Sequence, residues 1–251
     1  MKKLLLIPFV LVTVYCGGWY YIAKELNNGI HQFYETDGPL LGYQFYGDKP
    51  KLSGFPFKPV VTYKKGFAKD GVNFEFDTIK IKAYPLPTQP LSANIKNLSI
   101  QVAKSKRRYD MDQLKTTIII PKFMPEDVTR PNIITWQKDV GQIDITYLEL
   151  NKDTITAQAS GAIGLDDNLQ PSIDMNTLLK DYDKLLEILS EETKEITPLQ
   201  SKIALTIFNG IGKKDEESGR KYVELRIRIK DRRLIIGPLK TIKFPAVSWP
   251  E

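Results

Sequence analysis

Val223-Glu224-Leu225-Arg226-Ile227-Arg228-Ile229-Lys230 alternates apolar and charged residues without a break. That is the period of a half-buried strand, with four aliphatic side chains on one face and Glu224, Arg226, Arg228 and Lys230 on the other. A strand so sharply two-faced belongs in an antiparallel sheet with one covered and one wetted surface. Asp231-Arg232 supplies a turn, and Leu234-Ile235-Ile236-Gly237-Pro238-Leu239 returns as the next strand.

Just upstream the spacing changes to that of helices. Leu178, Leu179, Tyr182, Leu185, Leu186 and Leu189 mark one amphipathic face, with Asn176 or Thr177 as the N-cap. Thr197-Pro198 starts a second helix whose stripe is Leu199, Ile203, Ala204, Ile207, Phe208 and Ile211, with Gly210 and Gly212 as stops. Both stripes need a sheet to cover.

The middle of the chain reads as short strands joined by tight turns. Ile118 to Pro121 is an apolar run, Ile133 to Trp136 another, and Ile143, Ile145 and Tyr147 alternate with Asp144 and Thr146. Asn151-Lys152-Asp153 predicts a hairpin turn. Beyond it Ile155, Ala157 and Ala159 alternate with polar residues; an apolar face of such small side chains must be approached closely, by a helix or by an acyl chain. Earlier still, Val72, Phe74 and Phe76 alternate in one phase and Ile79, Ile81 and Ala83 in the other. A slip of one residue would turn half the strand over, so a bulge is expected at Asp77-Thr78. Ile95, Leu98, Ile100 and Val102 form a further strand, closed by the basic run Lys104 to Arg108. Near its start the β region holds Gly54-Phe55-Pro56-Phe57-Lys58, whose proline suits an edge strand or a bulge. Many strands with two late helices give an α+β fold, a large curved antiparallel sheet with both amphipathic helices packed near its C-terminal part.

The N-terminus is of another kind. Leu4 to Ala23 runs about 20 residues without a formal charge, the length of a membrane-crossing helix. Leu4 and Phe9 lie within it, Trp19, Tyr20 and Tyr21 form an aromatic belt at its end, and Lys2 and Lys3 precede it. The reading is a signal anchor over 1–23, a helical stalk over 24–41 ended by Thr36-Asp37-Gly38-Pro39, and one β-rich domain over 42–251. A cleaved signal peptide and a lipid-modified Cys16 are the alternatives, although Gly17-Gly18 before Trp19, and Tyr15 before Cys16, suit neither. The positive-inside rule puts the C-terminal domain in the periplasm, on a single pass through the inner membrane.

With 42% hydrophobic and 26% charged residues the chain is an ordinary globular one. Cys16 is its only cysteine, so the exported part has no disulfide and stands on its core. The net charge of +6 is modest, and outside the cytoplasm it points away from nucleic acid.

The anchor, the Gly54-Phe55-Pro56-Phe57-Lys58 stretch and the closing Leu234-Ile235-Ile236-Gly237-Pro238-Leu239 together resemble the uncharacterised bacterial envelope family known as domain of unknown function 2125. That family usually carries Asp-Gly where this chain has Asp231-Arg232. More loosely, the architecture is similar to AsmA-like proteins with β-grooves for lipids. Neither resemblance implies catalytic residues.

His31, the only histidine, excludes a histidine-rich metal site and leaves any Ser–His–Asp triad dependent on it. Asp166-Asp167-Asn168 lacks the glycine and closing glutamate of a calcium loop. Gly161-x-x-Gly164 and Gly210-x-Gly212 have no phosphate-loop lysine. The expectation is a non-enzymatic protein without a cofactor or metal, which binds or shelters a lipid or other apolar ligand. Gly54, Phe55, Pro56, Phe57, Ile155, Ala157 and Ala159 are the candidate groove or edge residues. The rival is an envelope scaffold or adaptor with a packed core that works through another envelope protein.

Overall fold

The alternation of the closing segment becomes antiparallel pairing in the computed structural model, which describes residues 2–54, 58–82, 90–103, 107–119, 129–192, 197–237 and 239–250. Of 2–15, 22, 107, 192 and 239–242 the description covers the backbone alone. The chain divides into two compact units, Met1–Asp110 and Met111–Glu251. Both are α+β, built on antiparallel strands.

In the first unit α1 (Lys2–Gln32) continues through a π-helical turn (Phe33–Asp37) into α2 (Gly38–Leu40). Helical geometry therefore passes through Gly29 and through Thr36-Asp37-Gly38-Pro39, which sequence reading had ending the stalk. The widened turn accommodates Pro39, whose missing N–H is tolerated near a helix start. Among the described residues no helix is long and apolar enough to cross a membrane. Most of Leu4–Ala23 falls where side chains are outside the description.

Five strands follow: β1 (Gln44–Tyr46), β2 (Lys51–Ser53), β3 (Val60–Lys69), β4 (Val72–Lys82) and β5 (Pro90–Val102). They run in the order β1-β3-β4-β5, with β2 also paired to β3. The β3–β4 register moves by one residue where Asp77 and Thr78 together oppose Lys64. That is the expected bulge, and it returns Ile79 and Ile81 to the face of Phe74 and Phe76. Opposite it, Asn97 has a left-handed backbone (φ 50°) and donates to Asp77 Oδ2 at 2.6 Å. The C-terminal end of the long helix is fastened by aromatic rings. Tyr34 stacks on Phe45 at 4.8 Å between centroids, Phe33 meets Phe45 edge-on at 5.8 Å, and Tyr63 meets Tyr34 at 5.9 Å. Burial and the neighbouring Tyr34 push the Tyr63 phenol up to about 12, so it stays a donor, to Gly66 O at 2.7 Å and Tyr46 O at 2.5 Å.

The division falls within β6 (Arg107–Ile119). In the second unit follow α3 (Arg130–Asp139), β7 (Gln142–Lys152), β8 (Ile155–Leu165), β9 (Pro171–Lys180), α4 (Tyr182–Glu187), a π-helical turn (Ile188–Glu192), α5 (Pro198–Ile211), β10 (Lys213–Lys214), β11 (Lys221–Lys230), β12 (Arg233–Ile236) and β13 (Leu239–Lys243). Strand order is β6-β7-β8-β9-β11-β12-β13, with β10 on β11.

Three sequence readings are corrected here. Ile133 to Trp136 lies on a helix, α3, because Thr129 takes the extended N-cap position and Pro131 the first turn. Leu178 and Leu179 are strand residues of β9, paired on both sides, to Gln158 and Ala157 and to Glu224 and Val223. The helix begins only after Asp181, whose left-handed backbone (φ 54°) turns the chain out of the sheet. The long strand β6 replaces a short apolar run, and its pairing with β7 reaches back from Ile119 through Thr117, Thr116 and Lys115 to Gln113.

The core of this unit lies between β8, β9 and β11 and the two helices. Ile155, Leu179, Val223 and Leu225 from the sheet close on Tyr182 and Leu186 of α4 and Phe208 of α5. Tyr182 and Phe208 meet edge-on at 5.6 Å. Thr197 caps α5: its hydroxyl accepts from the Gln200 N–H at 3.2 Å, and Gln200 Oε1 accepts from the Thr197 N–H at 2.8 Å.

Candidate functional site

Because side chains alternate along a strand, the residues not used by that core share the opposite face. On β7 the alternation slips. Ile145 pairs with Gly161 but Leu148 with Ala159, so Thr146 and Tyr147 together oppose Ser160. The bulge places Tyr147 with Glu149 on the polar face, not with Ile143 and Ile145 as the sequence alternation implied, and leaves Leu148 and Leu150 on the apolar one. Gly161 sits beside it, where a Cβ would lie 2.1 Å from the Asp174 carbonyl oxygen, so only glycine fits.

Glu149 is the hub of the polar face. It is 9% exposed, yet Tyr147, Lys115, Asn151 and Gln158 all donate to its carboxylate. Lys115 Nζ and Asn151 Nδ2 lie 2.9 Å from it and Gln158 Nε2 3.0 Å. The bond from the Tyr147 hydroxyl, then that from Lys115, holds the carboxyl down to about 2. An acceptor so fully engaged is a poor general base; it fixes four side chains instead.

Next to this hub lies an open concavity of about 520 Å³. Two cross-strand rows form its floor: Gln158, Leu178 and Glu224, then Ser160, Asn176 and Arg226. Thr146 and Tyr147, lifted by the bulge, make one wall. The charged groups beside it are paired. Arg226 grips Asp174 through two bonds of 2.6 and 2.5 Å, and Lys213 meets Glu224 at 3.3 Å. The Arg226 guanidinium keeps the Asp174 carboxyl below its ordinary value. In the first unit a comparable concavity of about 510 Å³ accompanies the β4 bulge, with Lys65, Asp77, Asn97 and Arg108 around it.

On the other face the apolar rows continue past α4 and α5. Ile143, Leu148, Ile173, Ile227, Ile229 and Leu234 are half-buried and Ile163 is exposed, none of them within the helix-covered cluster. Thr177 holds a buried hydroxyl on this face with no hydrogen-bond partner among the described residues.

The candidate residues stay on one face. Ile155 and Ala157 are packed under the helices, and Ala159, in phase with them and paired with Leu148, is on the same apolar face. Gly54 has a left-handed backbone (φ 106°) directly after β2. Phe55, Pro56 and Phe57 fall outside the described residues, as do the side chains of Leu4 and Phe9; Trp19, Tyr20 and Tyr21 lie on α1, with both tyrosines exposed. His31 faces Glu35 at 3.7 Å. Among the described residues no group of three or more His, Cys, Asp or Glu could hold a metal. Sequence reading missed Glu149 and its donors, although the change of apolar phase from Ile143 and Ile145 to Leu148 and Leu150 was the available signal.

Residues 72–245, from β4 to just beyond β13, match the family model described as an uncharacterized protein conserved in bacteria (DUF2125). The chain belongs to that family. No curated protein and no solved structure matches it, so the AsmA-like similarity gains no support. The DUF2125 match covers both bulges and the Glu149 hub, but begins after Gly54 to Lys58.

Proposed function

We propose that this chain is a non-enzymatic bacterial envelope protein, tethered to the inner membrane by its N-terminal stretch, whose second unit shelters a lipid or other apolar ligand. The observation that supports this reading is the apolar strip that runs beyond the helix-covered core. Ile143, Leu148, Ile163, Ile173, Ile227 and Ile229 remain half-buried or exposed there, and apolar patches that continue across neighbouring strands are typical binding surfaces. The adaptor alternative draws on α5, where Leu199 is 68% and Ile203 52% exposed.

Native mass spectrometry of the full chain, purified from a bacterial envelope and followed by organic extraction, tests the reading. A stoichiometric acyl compound, lost on Ile227→Lys in a protein that still folds, is the expected result. A folded protein with a clean apo mass would overturn it and leave the adaptor reading, with the outer edge of α5 as the contact.

A further inference from the structure

We infer that the polar concavity of the second unit binds a neutral saccharide, on the sheet face opposite the proposed apolar site and independently of it. Its volume, about 520 Å³, lies within the ~300–1,000 Å³ of small-molecule sites. Its chemistry selects the ligand class in three steps.

First, charge is already balanced. Glu224 and Arg226 line the concavity, and each holds an opposite partner, Lys213 and Asp174. An anionic or cationic ligand would have to break a formed pair, whereas a neutral one would not. Second, hydrogen-bonding capacity is left over. The Ser160 hydroxyl and the Asn176 amide are exposed side chains, cross-strand neighbours, with no side-chain hydrogen bond among the described residues. Gln158 gives its Nε2 to Glu149 and keeps its Oε1 as a fixed acceptor. Strand neighbours lie about 4.8 Å apart within a row and the two rows about 6.6 Å apart, so one sugar ring with its hydroxyls can reach both. Third, the wall is aromatic. Tyr147 is 38% exposed, and its bond to Glu149 holds the ring in place, a preformed platform for the C–H face of a pyranose. An aliphatic ligand would leave these donors and acceptors unpaired, which the polar lining disfavours.

Saturation-transfer NMR on the full chain, in a detergent without a sugar headgroup, tests this with maltotriose, cellotriose and chitotriose. The expected result is transfer to at least one of them with a dissociation constant of about 1 mM or tighter. Asn176→Leu combined with Ser160→Val should weaken it at least tenfold. Both side chains are exposed and make no side-chain bond among the described residues, so an unchanged melting curve shows that the fold persists. No transfer from any of the three at about 10 mM overturns the inference. So does binding that the double variant leaves intact, or tighter binding of a sulfated trisaccharide than of its neutral counterpart.

Discussion

Replacing Glu149 with Gln keeps the shape of the hub and removes its charge. In the native protein the carboxyl is held from 4.5 down to about 2, chiefly by the Tyr147 hydroxyl and Lys115. Each tenfold in the ionisation constant is worth about 1.4 kcal/mol, so the displacement corresponds to about 3 kcal/mol of stability at neutral pH. Because the folded value is the lower one, that contribution is present above pH 4.5 and disappears as pH falls toward 2. At pH 3 roughly 1.4 kcal/mol is left. Urea unfolding of the wild type and Glu149→Gln, followed by circular dichroism at pH 7 and pH 3, reads both values. The gap should be about 3 kcal/mol at pH 7 and less than half of that at pH 3. An equal gap at the two pH values would refute the reasoning, since the loss would then come from packing and not from the ionised carboxylate.

Three other substitutions probe the frame around the two faces. Arg232 takes a left-handed backbone (φ 60°) after Asp231 in the β11–β12 turn, so Arg232→Gly should raise stability by about 1 kcal/mol, read as a higher urea midpoint. Phe208→Ala empties the space between α5 and the sheet and should cost about 3–5 kcal/mol in the same assay, with the slope unchanged. Thr197→Ala removes the α5 cap and should cost about 1 kcal/mol, with amide exchange fastest in the first turn of that helix.

Much of the frame was legible wherever local pattern and tertiary pairing agree. The β11 alternation, the Thr197-Pro198 start of α5 and the bulge at Asp77-Thr78 could all be read from spacing, because in each the apolar period itself changes or persists. Leu178 and Leu179 were misread because adjacent leucines satisfy both periods; pairing on two sides made them strand. Ile133 to Trp136 was misread because its β-branched run outweighed Thr129 and Pro131, the helix-start signals. Glu149 was illegible as a site for a different reason. Its donors come from β6, β7 and β8 at sequence separations up to 34 residues, and only the strand register brings them together. The bulge beneath it was readable, since apolar residues at 143, 145, 148 and 150 repeat the interval seen at 74, 76, 79 and 81.

The ring contacts at the end of the long helix have a mechanical consequence. Phe33 and Tyr34 leave little room for a swivel between that helix and the strands that carry Phe45 and Tyr63. A helix of 31 residues is about 46 Å long, so a small tilt at its far end is a large displacement of whatever grips it there. Anything that sets the direction of the helix thereby aims the first unit, as a handle aims a blade.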